Sequence, residues 1–148
     1  MTEEECEKKP MNTDVSQACY LYVDDDMPSR RVVELILRRA MGVESLFMFD
    51  SSQDFMERLE ALPRRPDLIL LDIHMYPHDG FELLGEIRRD PDHSHTRVVA
   101  VTASVMNEEV SRLRTSGFDG AVGKPLNMSE FPTLIKRILE GETVWYVT

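Results

Sequence analysis

The run Pro66-Asp67-Leu68-Ile69-Leu70-Leu71-Asp72-Ile73-His74-Met75 constrains this chain more than any other. Four large aliphatic residues in succession, entered after a proline, read as a strand buried on both faces. Such strands belong to parallel sheets covered by helices, since a solvent-facing side would alternate with polar residues. Asp72 stands where the apolar run stops. In open α/β sheets, ligands bind at the C-terminal edge of the strands. Taken alone, Asp72 is therefore either a site residue or a cap on the following loop.

The rest of the chain repeats the pattern. Cys19-Tyr20-Leu21-Tyr22-Val23 is an aromatic and β-branched strand that runs into Asp24-Asp25-Asp26. Residues 45–49 and 98–102 read as further strands, and the short, glycine-rich 120–123 as a fifth that leads into Lys124-Pro125. Between them lie helical patterns. Asp26 reads as an N-cap or dipole partner, with Pro28 in the first turn of a helix ending near Met41, before Gly42. Ser51 or Ser52 is expected to cap a helix to about Leu62. A third helix is expected over 81–89, a fourth over about 106–116 ended by Gly117, and a fifth, capped by Ser129, to about Leu139. Five strands alternating with five helices predict an α/β fold: a single doubly wound five-stranded parallel sheet with right-handed crossovers.

A chain of 148 residues suits one such domain. Residues 1–17 are polar and lack periodicity, so they read as a flexible leader to a domain over 18–140. The tail, 141–148, is too short for an output domain, but its Val144-Trp145-Tyr146-Val147 run should pack on the body or on a partner. A net charge of −10 argues against nucleic acid and anionic membrane as direct partners, and suits a divalent cation or basic protein surfaces. Cys6 and Cys19 form no CxxC pattern, which leaves no disulfide framework or zinc motif. No apolar run reaches membrane-span length, and Thr2-Glu3-Glu4-Glu5 is unlike a signal peptide. A cytoplasmic protein is expected.

The strand ends carry the chemistry. The first strand ends at Asp24 and Asp25, the third at Asp72, the fourth at Thr102 and the fifth at Lys124. A parallel sheet brings all of these to one edge. Two unit charges ~5 Å apart at an effective dielectric of ~20 repel by on the order of 3 kcal/mol, so clustered carboxylates need a compensating cation. Oxygen donors with open positions suit Mg²⁺. A hydroxyl and an ammonium beside it are the donors that a transferring phosphoryl group requires. Metal, carboxylate nucleophile and phosphoryl-oxygen donors together point to aspartyl phosphate formation.

Val23-Asp24-Asp25-Asp26, Leu70-Leu71-Asp72-Ile73, Ala100-Val101-Thr102-Ala103 and Gly123-Lys124-Pro125 resemble the receiver domain of two-component response regulators, across about residues 18–140. The resemblance implies a flavodoxin-like sheet of order 2-1-3-4-5. It implies that Asp72 is the phosphoacceptor and that Asp25, Asp72 and the backbone carbonyl of His74 ligate Mg²⁺, with Asp24 acting mainly through water. Thr102 would hydrogen-bond the phosphoryl group and Lys124 would pair with it and with Asp72. Ala103 would leave an entry, and the Lys124-Pro125 peptide would be cis. The implied protein is a stand-alone, chemotaxis-regulator-like receiver. It would take a phosphoryl group from a sensor histidine kinase or histidine phosphotransfer protein and signal to a downstream protein target, with a weak homodimer left open. It would not be an enzyme on other substrates, although it would catalyse its own phosphorylation and dephosphorylation.

Two departures stand out. Family members usually carry Met-Pro at the third and fourth positions after the phosphoacceptor, whereas here Met75 is followed by Tyr76, and then Pro77. The distance to Gly80 is kept, which reads as a reshaped loop. Ala121 replaces the usual Tyr or Phe three residues before the lysine, so the family's aromatic switch is missing; Trp145 or Tyr146 could fill that surface. His74, His78, His93 and His95 read as exposed polar loop residues in preference to a transition-metal site, with His74 shaping water access to the phosphoryl group. Arg30 and Arg31 read as a solvated helix face or as contacts to a phosphodonor. A receiver-like interaction module that is never phosphorylated is the alternative. A Mg²⁺-dependent phosphatase ranks last, because Asp72 is followed two residues later by His74 rather than by a second Asp.

Overall fold

The computed structural model describes residues 14–103 and 106–146, with only the backbone of Tyr146. Most of the expected leader, Cys6 within it, and Val147 and Thr148 of the tail lie outside the described residues. The strands are β1 (Cys19–Val23), β2 (Ser45–Phe49), β3 (Leu68–Asp72), β4 (Arg97–Thr102), β5 (Gly120–Gly123) and β6 (Val144–Tyr146). The helices are α1 (Met27–Leu35), α2 (Phe55–Glu60), α3 (Gly80–Arg89), α4 (Asn107–Thr115) and α5 (Phe131–Leu139). All strand pairs are parallel, in the order β2-β1-β3-β4-β5-β6.

The central run is buried on both faces, as its composition requires. Leu68 and Leu70 of β3 join Tyr20 and Tyr22 of β1 in one core, covered by Val33 of α1 and by Phe131, Ile135 and Ile138 of α5. Ile69 and Leu71 join Leu21 and Val23 in the other, covered by Phe55 and Leu59 of α2, Leu83, Leu84 and Ile87 of α3 and Leu113 of α4. Period-two alternation thus sends neighbouring residues to opposite helical layers.

The helix starts differ in places from expectation. Asp26 does cap α1, its carboxylate accepting from Ser29 N at 3.0 Å. The helix ends in a π turn, Ile36–Ala40, which buries both Ile36 and Leu37. Neither Ser51 nor Ser52 caps α2. The Ser52 hydroxyl instead accepts from His78 N at 2.8 Å, and α2 begins later, behind Asp54 in a left-handed conformation, and ends at Glu60. Ser129 does not cap α5 either. The N-cap is Glu130, with no side-chain cap bond, and Asn127 holds the turn ahead of it, its Oδ1 accepting from Ser129 N at 2.9 Å and Glu130 N at 3.3 Å.

The tail adds a sixth strand to the five expected. β6 pairs with β5 in the register Gly120↔Val144, Ala121↔Trp145 and Val122↔Tyr146. Gly120 admits it: a Cβ there would lie 2.6 Å from the Val144 carbonyl oxygen. Three residues alone are too short to announce a strand; a partner edge makes them one.

Candidate phosphoacceptor and metal site

Four strand ends bring the predicted site residues together. Asp24 and Asp25 follow β1 and Asp72 closes β3. One carboxylate oxygen from each lies within 4.8 Å of the others. Asp24 is fully buried and Asp72 is 6% exposed, whereas Asp25 faces solvent. Lys124, just past β5, reaches across the sheet edge. Its Nζ lies 2.8 Å from Asp24 Oδ2 and 3.3 Å from Asp72 Oδ1. Thr102 is buried at the end of β4, and its carbonyl accepts from Lys124 N at 2.8 Å. Ala103 is exposed beside it. The Lys124-Pro125 peptide is cis, as is Tyr76-Pro77.

The pocket is electrostatically loaded. Burial, then the Asp24 charge, push the Asp72 carboxyl up to about 6, against the opposing pull of Lys124. For Lys124, burial is the largest single effect and works against its charge; the hydrogen bond to Asp24 and the Asp72 charge outweigh it, so its ammonium is held above the ordinary range. One ammonium among three carboxylates leaves a surplus of negative charge and a set of oxygen donors. That combination fits a hard divalent cation.

Sequence reasoning missed Tyr22. Its phenol is buried in the pocket floor and donates to Asp24 Oδ2. Burial first, and that hydrogen bond second, hold the phenol protonated far above its usual range. The signal was present: Tyr22 and Asp24 are two apart at the end of β1, the spacing that puts residues of an extended chain on one face. Asp24 Oδ2 is fully engaged as a result, since it also meets Lys124, while Oδ1 accepts from Asp26 N at 2.9 Å. Arg30 does not stand free on its helix; its Nη1 donates to the Asp24 carbonyl at 2.8 Å.

The loop after Asp72 keeps its geometry despite the displaced proline. Gly80 N donates to the Ile73 carbonyl at 2.9 Å, and a Cβ on Gly80 would lie 2.8 Å from the Asp72 carbonyl oxygen. Only glycine lets α3 start this close to β3. The His74 ring turns away to Glu109 of α4 at 3.0 Å, and His78 Nδ1 meets Glu82 at 2.8 Å. His93, expected as a polar loop residue, is instead buried. Its turn folds under the ends of α2 and α3, which no local pattern reveals. Ala121 is buried in the α2–α4 layer, and Trp145, opposite it in register, packs partly buried against the same layer with the Arg114 guanidinium 5.6 Å from its ring.

Among the described residues, no helix is long and apolar enough to cross a membrane. The family model for the response regulator receiver domain matches residues 20–136. The chain is 31% identical over 117 residues to the polar-differentiation response regulator DivK of Brucella anthropi, covering 78% of this chain and 90% of that protein. It is 30% identical over 125 residues to the response regulator VraR of Staphylococcus epidermidis, where it covers 84% of this chain and spans only 58% of the relative. The crystal structure of the signal receiver domain of a DNA-binding response regulator from Colwellia psychrerythraea superposes with a TM-score of 0.73 at 25% identity, over 84% of this chain and 99% of that one. The fold is therefore the flavodoxin-like receiver fold with one added strand, and the chain belongs to the response regulator receiver domain family.

Proposed function

We propose that Asp72 accepts a phosphoryl group from the phosphohistidine of a sensor histidine kinase or histidine phosphotransfer protein, with Mg²⁺ in the acidic pocket. One observation carries this reading: three carboxylates with oxygens within 4.8 Å of one another, beside an ammonium 3.3 Å from Asp72. The Asp72 oxygen attacks phosphorus, the P–N bond breaks, and the imidazole leaves with the electron pair. Water later attacks the same phosphorus and releases inorganic phosphate, which restores the carboxylate. Mg²⁺, when bound, neutralises the carboxylates and the phosphoryl oxygens together. Asp25, Asp72 and the His74 carbonyl are its direct ligands in this reading. Asp24 acts through water in this reading: Tyr22 and Lys124 occupy its Oδ2, while Oδ1, which accepts from Asp26 N, keeps a lone pair for a water. Thr102 donates its hydroxyl to the phosphoryl group, Lys124 pairs with it, and Ala103 leaves the approach open.

Receiver domains are generally not enzymes acting on other substrates, so the output here is binding. Met27, Val32 and Leu35 of α1 are exposed apolar residues, and Val32 lines a groove of about 350 Å³ with Tyr22, Pro28, Ala103, Lys124 and Leu126, a surface that suits a protein partner. The match spans 90% of the DivK relative, while the VraR relatives extend well beyond it. A cytoplasmic location belongs to this reading. In place of an aromatic at Ala121, Trp145 is the ring positioned to report the state of β4 and β5 to α4.

Incubation with Mg²⁺ and a small phosphodonor should add the mass of one phosphoryl group, and Asp72→Asn or removal of Mg²⁺ should abolish it. No gain would favour the constitutive interaction module instead. Trp145→Ala should leave the mass gain intact while weakening phosphorylation-dependent partner binding; unchanged binding would remove Trp145 from the signal path.

A further inference from the structure

A second cluster of reactive side chains lies at the sheet edge opposite Asp72. Helices of a doubly wound sheet run against its strands, so α2 and α3 end at the strands' N-terminal edge. Glu60 is the last residue of α2, and Asp90 caps the C-terminus of α3. His93 follows in a turn held by His93 N to the Asp90 carbonyl and Thr96 N to the His93 carbonyl, both 3.0 Å. His93 is 2% exposed, and its Nδ1 has no hydrogen-bond partner. That nitrogen faces Asp90 Oδ2 at 3.6 Å and Glu60 Oε1 at 3.8 Å. The three ligand atoms lie within 4.8 Å of one another.

These distances decide between two readings. A charge-assisted N–H···O bond closes to about 2.7–2.9 Å, so at 3.6 and 3.8 Å Nδ1 makes no close bond of that kind to either carboxylate. Around a tetrahedral zinc ion, with bonds of about 2.0–2.2 Å, the N···O edge is about 3.3–3.5 Å. The two N···O distances stand a few tenths of an ångström outside that edge. A buried polar atom without a partner is rare in native proteins and calls for a bridging ion or water. The partial negative charge at two helix C-termini adds to the carboxylates in favouring a cation.

We propose that Glu60, Asp90 and His93 form a binding site for a divalent transition-metal ion of the zinc type. Glu60 is half exposed, which leaves the fourth position to water or to a partner's ligand. The imidazole donor discriminates against Mg²⁺ and Ca²⁺, which favour oxygen. The ion fastens the end of α2 to the turn between α3 and β4, and the site is chemically separate from Asp72.

The test is calorimetric titration of the full chain with Zn²⁺ under saturating Mg²⁺, paired with Co²⁺ absorption. One equivalent should bind to the wild type and to Asp72→Asn, and Co²⁺ should give the strong visible bands of a tetrahedral site. His93→Gln and Glu60→Gln should each weaken binding by at least about tenfold. Glu60 lies at an exposed helix end, so its variant stays folded even if His93→Gln does not. His78→Asn, which removes the His78–Glu82 pair, should change nothing. The proposal falls if no Zn²⁺ binds, if both the Glu60 and His93 variants bind normally, or if Asp72→Asn or His78→Asn abolishes binding. An imidazolium held between the carboxylates would give the first of these results.

Discussion

At the C-terminal edge of the sheet, Lys124 sits 2.8 and 3.3 Å from two buried carboxylates; at the N-terminal edge, His93 sits 3.8 and 3.6 Å from two others. Both clusters set carboxylates against one basic group, yet the first is a paired network and the second is not. The scaffold explains the difference. Strand ends at the first edge are fixed by parallel pairing on both sides, so residues 100 apart meet at hydrogen-bonding distance. The second cluster is assembled from two helix ends and a turn within residues 60–93. One edge therefore neutralises its carboxylates from within, in part, and the other leaves that to an ion.

The largest effect should come from breaking the paired edge. Lys124→Met leaves Asp24 and Asp72 buried without their ammonium, which costs about 3 kcal/mol or more in metal-free protein. Saturating Mg²⁺ should restore much of the loss in a urea titration. A loss of equal size with and without Mg²⁺ would mean that the two edges differ less than argued.

Next comes the pH dependence of the same edge. The Asp72 carboxyl stands at about 6 in the folded chain against 3.8 when unperturbed. Between those values the folded state keeps a proton that the unfolded state has released, so this group's contribution to stability falls as pH rises through that window. Above pH 6 the penalty is on the order of 3 kcal/mol without Mg²⁺. Asp72→Asn should therefore be more stable than the wild type at pH 8, with the advantage gone near pH 4. Denaturant midpoints at the two values decide it, and an advantage independent of pH would refute the electrostatic account.

The smallest effect is the removal of one hydrogen bond. Tyr22→Phe keeps the ring but removes the donor to Asp24, and should cost about 1 kcal/mol. It should also shift Mg²⁺ affinity while leaving Zn²⁺ affinity unchanged. Equal shifts for both ions would show that the two edges are coupled.

The comparison also marks what could be read from residue order. The acidic pocket was legible because each member ends an apolar run, and parallel strands carry such ends to one edge. Tyr22 was half legible: its parity with Asp24 is in the sequence, but its hydroxyl gains meaning only once Asp24 is buried. The caps were misread at Ser52 and Ser129 for a different reason. Several hydroxyls and amides compete for a helix start, and tertiary contacts (Ser52 with His78 N) or a neighbouring side chain (Asn127) win.

By itself, then, the sequence determined the alternation of strands and helices, the double burial of Leu68–Asp72 and the identity of the residues at the C-terminal edge of the sheet. These follow from periodicity and from where apolar runs stop, both local properties of a chain. The tertiary structure decided the sixth strand, the placing of Trp145 against Ala121 and the burial of His93 between Glu60 and Asp90. The Val144-Trp145-Tyr146-Val147 run itself suggests packing on the body or on a partner, with either ring for the Ala121 surface. Which edge it joins, which ring is chosen and the burial of His93 depend on surfaces made by distant parts of the chain, so local pattern leaves them open.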